Sequence, residues 1–365
     1  MVFISVSYNY SPEFNSPKNW FKRAQIYNGI LEHLSGKNTV INVKQINYTG
    51  NHTHNGVHHK FVDFGKKKTF FPLRFNRFIK SLNPDIILFQ GLHHPLQLIQ
   101  LRFLLNKKVK IIAHHHAEKP FTGLKKYLQK IADRCVDAYL FASHEIGMDW
   151  VNKGNLLSPQ KIHEVMEVSS VFYPIEKTIA RSKTGAFGDP VFLWVGRLNA
   201  NKDPFTVIKA FLRFAEAHPA ATLYMVYHTD DLLPDIIEFL KDHSYKDNII
   251  LIGKVPNNDL LYWYNSADFI ISGSHYEGSG TAIAEAMSCG CIPVVTDIFS
   301  FRMITDNGKC GFLYKAGDEI ALLTTLINLK HTDLAEKRAT SLAYFKSNLS
   351  FGAIAAKIQE IASSL

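Results

Sequence analysis

The sequence predicts an α/β protein built as two doubly wound domains that face each other across a cleft. Three observations predict it. Short apolar runs alternate with helical patterns along the chain, as in parallel sheets wrapped by helices. At 365 residues the chain is long enough for two domains of ordinary size. Between its halves, residues 177–190 are rich in Lys, Ser, Thr and Gly and read as a linker. The expected division is an N-terminal domain over 1–188, with the linker at 177–188, and a second domain over 189–348. A C-terminal helix over 349–365 is expected to pack back toward the first domain.

The elements follow in order. In the first half, apolar and β-branched runs predict strands at 2–7, 39–43, 85–89, 110–114 and 138–142. Apolar residues at helical spacing predict helices at 20–34, 71–82, 95–105 and 124–134. In the second half, strands are predicted at 191–195, 222–227, 249–252, 269–272 and 292–296. The helices between them fall at 204–217, 231–240, 258–265 and 281–289. Pro204 suits a first helical turn, and Gly290 stops the last of these helices. Residues 334–348 and 351–364 carry apolar positions at helical spacing and read as packing elements. In sheets of this kind ligands sit at the carboxyl ends of strands, so an interdomain cleft is the expected small-molecule site.

Composition narrows the class. Apolar content of 46% with 20% charged residues describes a soluble globular chain. The first ten residues lack the basic start of a secretory signal, and no apolar run approaches the roughly 18 residues of a spanning helix. Four scattered cysteines suit neither a disulfide framework nor a zinc site. A cytoplasmic protein with reduced thiols is expected. Charge is divided unevenly. Residues 1–188 hold 26 Lys and Arg against 12 Asp and Glu, a net +14, whereas 189–365 are −5. The basic half suits an anionic membrane surface, an acidic substrate or a nucleic acid.

The densest signal is residues 273–296, a strand–loop–helix–strand unit. Gly278 and Gly280 let the backbone approach a ligand, and with Ser279 and Thr281 they lead into a helix N-terminus that attracts phosphate or sugar oxygens. Glu277 and Glu285 flank that terminus with seven residues between them. Upstream, Arg197 and Lys202 lie in the strand-to-helix loop before Pro204. An Arg fork and a mobile Lys charge suit a diphosphate.

Gly196-Arg197-Leu198 with Lys202, Ala267-Asp268, Glu277-Gly278-Ser279-Gly280, Glu285-Ala286-Met287, Gly290, Pro293-Val294-Val295 and Gly311-Phe312-Leu313 together resemble the donor domain of glycosyltransferase family 4. The likeness covers roughly residues 190–315. It implies the GT-B fold of two Rossmann-like domains and a retaining, metal-independent transfer from a UDP- or GDP-sugar, with no cofactor. It implies that Arg197 and Lys202 hold the donor diphosphate, Glu277 the hydroxyls of the transferred sugar and Glu285 the ribose. The backbone over 278–281, from Gly278 through Ser279 and Gly280 to Thr281, would support sugar and phosphate. The implied acceptor is a glycan or lipid-linked intermediate, which places the enzyme in polysaccharide biosynthesis. Two departures stand out. No glycine occurs before Gly29, where the family often has a Gly-Gly loop, and Ser300 to Met303 replace a frequent Glu.

In the first half, the strand at 110–114 runs into His114-His115-His116. The resemblance implies a His here that reaches the transferred sugar; His116 fits best and His115 next. A metal reading of the histidines is set aside, because adjacent histidines rarely share one ion and no Cys or carboxylate spacing supports a site. Residues 65–80 mix lysines, arginines and phenylalanines. They read either as a dock for an anionic membrane, peripheral at its inner face, or as a helix whose Phe75, Phe78 and Ile79 face the core.

Other classes fit less well. A sugar-nucleotide epimerase on the same architecture is the alternative, separated from transfer by its lack of need for an acceptor. A nicotinamide dehydrogenase is disfavoured because Ile283 stands where its glycine fingerprint needs Gly or Ala. No nucleic-acid partner is expected, since no binding motif occurs.

Overall fold

The computed structural model describes residues 1–65, 71–116 and 118–365. The chain divides into two compact units, one of residues 1–169 with 350–365 and one of residues 170–349. The boundary thus falls near Ser169 rather than at 188.

The first unit contains β1 (Val2–Ser11), α1 (Pro17–Ser35), β2 (Thr39–Ile46), β3 (Gly50–His54), β4 (Val57–Val62), α2 (Leu73–Ser81), β5 (Ile86–Gln90), α3 (Pro95–Leu104), β6 (Lys110–His114), α4 (Gly123–Asp133), β7 (Ala138–Phe141), α5 (His144–Asn152) and β8 (Ile162–Glu164). Among the described residues these strands form one sheet in the order β3-β4-β2-β1-β5-β6-β7-β8. It is parallel apart from the β3–β4 hairpin. Order reverses between β1 and β5, so their carboxyl ends flank the crevice of a doubly wound sheet.

The two faces of this sheet differ. On one, Ile4, Val6, Tyr8, Val43, Ile87, Phe89, Ile111 and Ala113 build the main apolar core. On the other, the central strands begin apolar and turn polar toward their carboxyl ends. Phe3 gives way to Ser5 and Ser7, Val40 to Asn42 and Lys44, Leu88 to Gln90, and Ile112 to His114. Phe75 and Ile79 of α2 are buried and Phe78 packs against the same core, whereas Phe71, Leu73, Arg74 and Arg77 are exposed. The apolar face of α2 is therefore spent on the core. Residues 66–70 of the basic stretch lie outside the described residues.

The second unit contains α6 (Lys177–Thr184), β9 (Val191–Gly196), α7 (Pro204–Ala217), β10 (Thr222–Tyr227), α8 (Leu233–Leu240), β11 (Ile249–Gly253), α9 (Leu260–Ser266), β12 (Phe269–Ser272), α10 (Thr281–Ser288), β13 (Ile292–Thr296), α11 (Phe299–Ile304), β14 (Phe312–Tyr314), α12 (Glu319–Asn328) and α13 (Leu334–Tyr344). Among the described residues the sheet is wholly parallel, in the order β11-β10-β9-β12-β13-β14. Its switch point lies between β9 and β12. Residues 177–188, expected as a linker, instead carry α6. Lys177 and Arg181 both pair with Asp268, so charge rather than an apolar stripe anchors that helix. The last helix, α14 (Phe351–Ser364), belongs to the first unit and packs on α1. Gly29 permits that approach, since a Cβ there would lie 2.6 Å from the Phe351 ring.

Candidate active site

The second sheet's switch point brings together the residues singled out in the sequence. The loop from Arg197 to Asp203 follows β9, and buried Leu198 anchors it. Asp203 then caps α7, accepting from the Thr206 amide (3.2 Å) and hydroxyl (2.7 Å). The loop from Gly273 to Gly280 follows β12 and is tied to the first. The His275 amide donates to the Asn201 carbonyl (2.8 Å), the Asn201 side-chain amide donates to the Tyr276 carbonyl (3.0 Å), and the His275 ring meets Asp203 (3.1 Å).

Across this junction Lys202 Nζ pairs with Glu277 Oε1, which also accepts from the Ser274 hydroxyl at 2.7 Å. Arg197 is exposed at the same sheet edge, and no carboxylate among the described residues pairs with it. Gly280 sits in the left-handed region (φ +58°) and opens α10, with Gly278 and Ser279 buried before it and Thr281 half-buried at its first turn. The Ser300 hydroxyl donates to the carbonyls of Glu277 and Gly278, fixing the loop from behind. Ser300 was noted in the sequence only as a departure. Its role, and those of Ser274 and Asn201, left no signal there because short polar side chains take such bonds only where the fold places a carbonyl or carboxylate.

Glu285 is different from Glu277. It lies within α10, is buried, and accepts from the Tyr264 hydroxyl at 2.8 Å. Burial pushes its carboxyl up to about 7, and the Tyr264 bond partly offsets the rise. At neutral pH it is therefore poised between acid and carboxylate.

The first unit separates the paired histidines. His115 is 1% exposed, stacks on Phe141, and bonds the Glu118 carbonyl (2.8 Å). Burial lowers its pKa. That packing leaves the ring almost wholly inside the core, whereas His116 next to it is only half-buried. His116 is half-buried, meets Gln90 Oε1 at 2.8 Å and pairs with Glu167. It lines a cavity of ≈ 400 Å³ at the carboxyl ends of β1, β2, β5 and β6. Among the described residues no group of three His, Cys, Asp or Glu is placed to hold a metal ion.

Residues 176–344 match the family model for glycosyl transferases group 1. That segment belongs to the group 1 glycosyl transferases. Relatives of the group 1 glycosyl transferase segment include mannosylfructose-phosphate synthase of Agrobacterium fabrum, 30% identical over 135 residues that cover 34% of this chain and 30% of that protein. GDP-mannose:cellobiosyl-diphosphopolyprenol alpha-mannosyltransferase of Xanthomonas campestris is 26% identical over 159 residues, covering 42% and 41%. These matches span 30% and 41% of the two relatives' lengths. The whole chain is similar in fold to a glycosyltransferase of Rickettsia africae, with TM-score 0.74 and 17% identity over 100% of this chain and 97% of that one. It is likewise similar to Anabaena HepE in complex with UDP and glucose, with TM-score 0.68 and 15% identity over 100% and 99%. The fold is GT-B, two Rossmann-like domains.

Proposed function

We propose that the chain is a glycosyltransferase that moves a sugar from a nucleoside-diphosphate sugar to a glycan or lipid-linked acceptor, with retention at the anomeric carbon and no metal. The observation that carries the reading is the pairing of Lys202 with Glu277 at the second sheet's switch point, beside Arg197 and the N-terminus of α10. Bond cleavage puts negative charge on the departing diphosphate. Arg197, Lys202 and the amides opening α10 stabilise it where a metal would otherwise be needed. A diphosphate that draws Lys202 toward itself frees Glu277 to accept from sugar hydroxyls, with Ser274 keeping the carboxylate aimed. Glu285 holds the ribose diol. Solved relatives in complex with UDP and with UDP-glucose support this class of donor.

The test is incubation with a panel of UDP- and GDP-sugars and acceptor extracts, following nucleotide release. Release with one donor is expected. Neither binding nor release with any of them would overturn the reading.

The first unit is proposed to meet an anionic membrane surface from the cytoplasmic side. Residues 71–134 hold twelve Lys and Arg against three Asp and Glu. Asp85 accepts from the Val2 amide, and Glu118 and Asp133 are buried. On α4, Leu124, Tyr127 and Ile131 form one exposed stripe (76%, 66% and 51%) flanked by Lys125, Lys126 and Lys130. Exposed apolar groups bordered by cations suit an anionic lipid interface. No described helix is long and apolar enough to cross a membrane.

A further inference from the structure

The polar face of the first sheet calls for a ligand. Parallel strands covered by helices on both sides ordinarily carry apolar residues on both faces. Here Ser5, Ser7, Asn42, Lys44, Gln90 and His114 line the ≈ 400 Å³ cavity beneath α1. Two of them leave buried acceptors unused among the described residues. Asn42 turns its amide nitrogen to His59 Nδ1 (3.3 Å), and its Oδ1 has no partner. His114 Nε2 also has none. Burial pushes His114 down to about 3, so the ring is neutral. A neutral ring leaves one of its two nitrogens without a proton, and Nε2 is the one with no partner. Buried acceptors without donors are costly and mark a missing partner.

The charges in the cavity are unequal in their commitments. Glu118 accepts from the amides of Leu92 and His116 (both 2.6 Å), and Glu167 pairs with His116. Lys44 and Arg23, by contrast, pair with no carboxylate among the described residues. Burial pushes Lys44 down to about 8, as expected of a desolvated ammonium with no counter-ion. The cavity thus offers two free cations and two free hydrogen-bond acceptors. Its complement is a molecule with an anionic group and hydroxyl donors.

We propose that this cavity binds an anionic saccharide, a sugar or polyol bearing a phosphate or carboxylate, with its anion on Lys44 and Arg23 and its hydroxyls on Asn42 Oδ1 and His114 Nε2. Its part in the reaction, as the sugar acceptor or the anionic end of one, rests on the transferase reading; the binding itself does not.

The experiment is calorimetric titration of the full chain, with saturating UDP to occupy the donor side, using glucose 6-phosphate, glucuronate, glucose and inorganic phosphate as probes. At least one of the two anionic sugars is expected to bind about tenfold or more tighter than glucose and than phosphate, and the better of the pair tells phosphate from carboxylate. Lys44→Met removes that preference and Lys44→Arg restores most of it, while both stay folded with the wild-type UDP affinity; Lys44→Met, which removes a desolvated charge, melts no lower than the wild type. Equal binding of all four probes, or an unchanged preference in Lys44→Met, would overturn the proposal. Phosphate binding as tightly as either sugar would reduce the cavity to a simple anion site and overturn the saccharide part. A chain that ignores UDP yet selects an anionic sugar would sink the donor reading and leave this one standing.

Discussion

Lys202 and Glu277, 75 residues apart in sequence, form one ion pair across the two loops at the second sheet's switch point. On the proposed reading the transferred sugar and the diphosphate are held by different groups beside this pair, and substitutions separate them. Glu277→Ala is expected to lower transfer by about a hundredfold or more while UDP, which lacks the sugar, binds as before. Arg197→Ala is expected to weaken UDP itself. Nucleotide titration beside a turnover assay reads both. Loss of UDP binding in Glu277→Ala, with the fold intact, would reverse the assignment.

Glu285 gives a pH dependence with a definite sign. Its folded carboxyl titrates near 7 against an ordinary value of 4.5. The folded state therefore keeps a proton that the unfolded state has lost across that window. Its contribution to stability is fully present below 4.5 and is lost as pH rises through about 7, on the order of 3 kcal/mol in total. Glu285→Gln is expected to flatten the fall in melting temperature between pH 5 and pH 8. A ribose diol prefers the carboxylate, and the terminal phosphate of UDP ionises in the same range in both proteins, so UDP affinity is expected to rise with pH more steeply in the wild type than in Glu285→Gln. Parallel melting curves for the two proteins would remove the buried acid from the account.

Much of this was legible in the sequence. All ten expected strands are present, because buried parallel strands read as apolar runs between turn residues. The two loops at the second sheet's switch point were legible because their glycines are dictated by close backbone approach and their charges stand out beside them. What escaped is held by other forces. The β3–β4 hairpin carries His52, His54, His58 and His59 instead of an apolar alternation, although Asn55-Gly56 at its turn, both at positive φ, is a strong hairpin signal. The helix α6 hid in a polar stretch because it is fastened by Lys177 and Arg181 to Asp268. The polar cavity escaped because Ser5, Asn42 and His114 look unremarkable singly; only their register across β1, β2, β5 and β6 puts them on one face.

Gly273 tests how closely the two loops at the second sheet's switch point must approach. A Cβ there would come 2.7 Å from the Asp203 carbonyl oxygen and 3.3 Å from that of Lys202. Backbone cannot swing aside as a flexible side chain can. Gly273→Ala is expected to spread the loops, cost about 1–3 kcal/mol of stability and weaken donor binding together with it. Gly36→Ala is the control, since its φ is −61° and its nearest neighbour would be 3.4 Å away. Denaturant midpoints compare the two; equal midpoints would mean that the loops have slack.

The α4 stripe makes a separable prediction about lipid. Leu124 and Ile131 stand clear of the core, so Leu124→Glu with Ile131→Glu leaves packing untouched and removes apolar contact with a bilayer. Lys126→Gln with Lys130→Gln removes two cations, each worth roughly 1 kcal/mol near an anionic surface. The wild-type chain is expected to sediment with vesicles of phosphatidylcholine and phosphatidylglycerol but not with phosphatidylcholine alone. Salt screens the attraction between exposed charges, so binding is expected to weaken as ionic strength rises. Each double variant is expected to lower the bound fraction about fivefold or more, an effect the lysine arithmetic alone would supply. Wild-type partition by both variants would move any membrane contact away from α4.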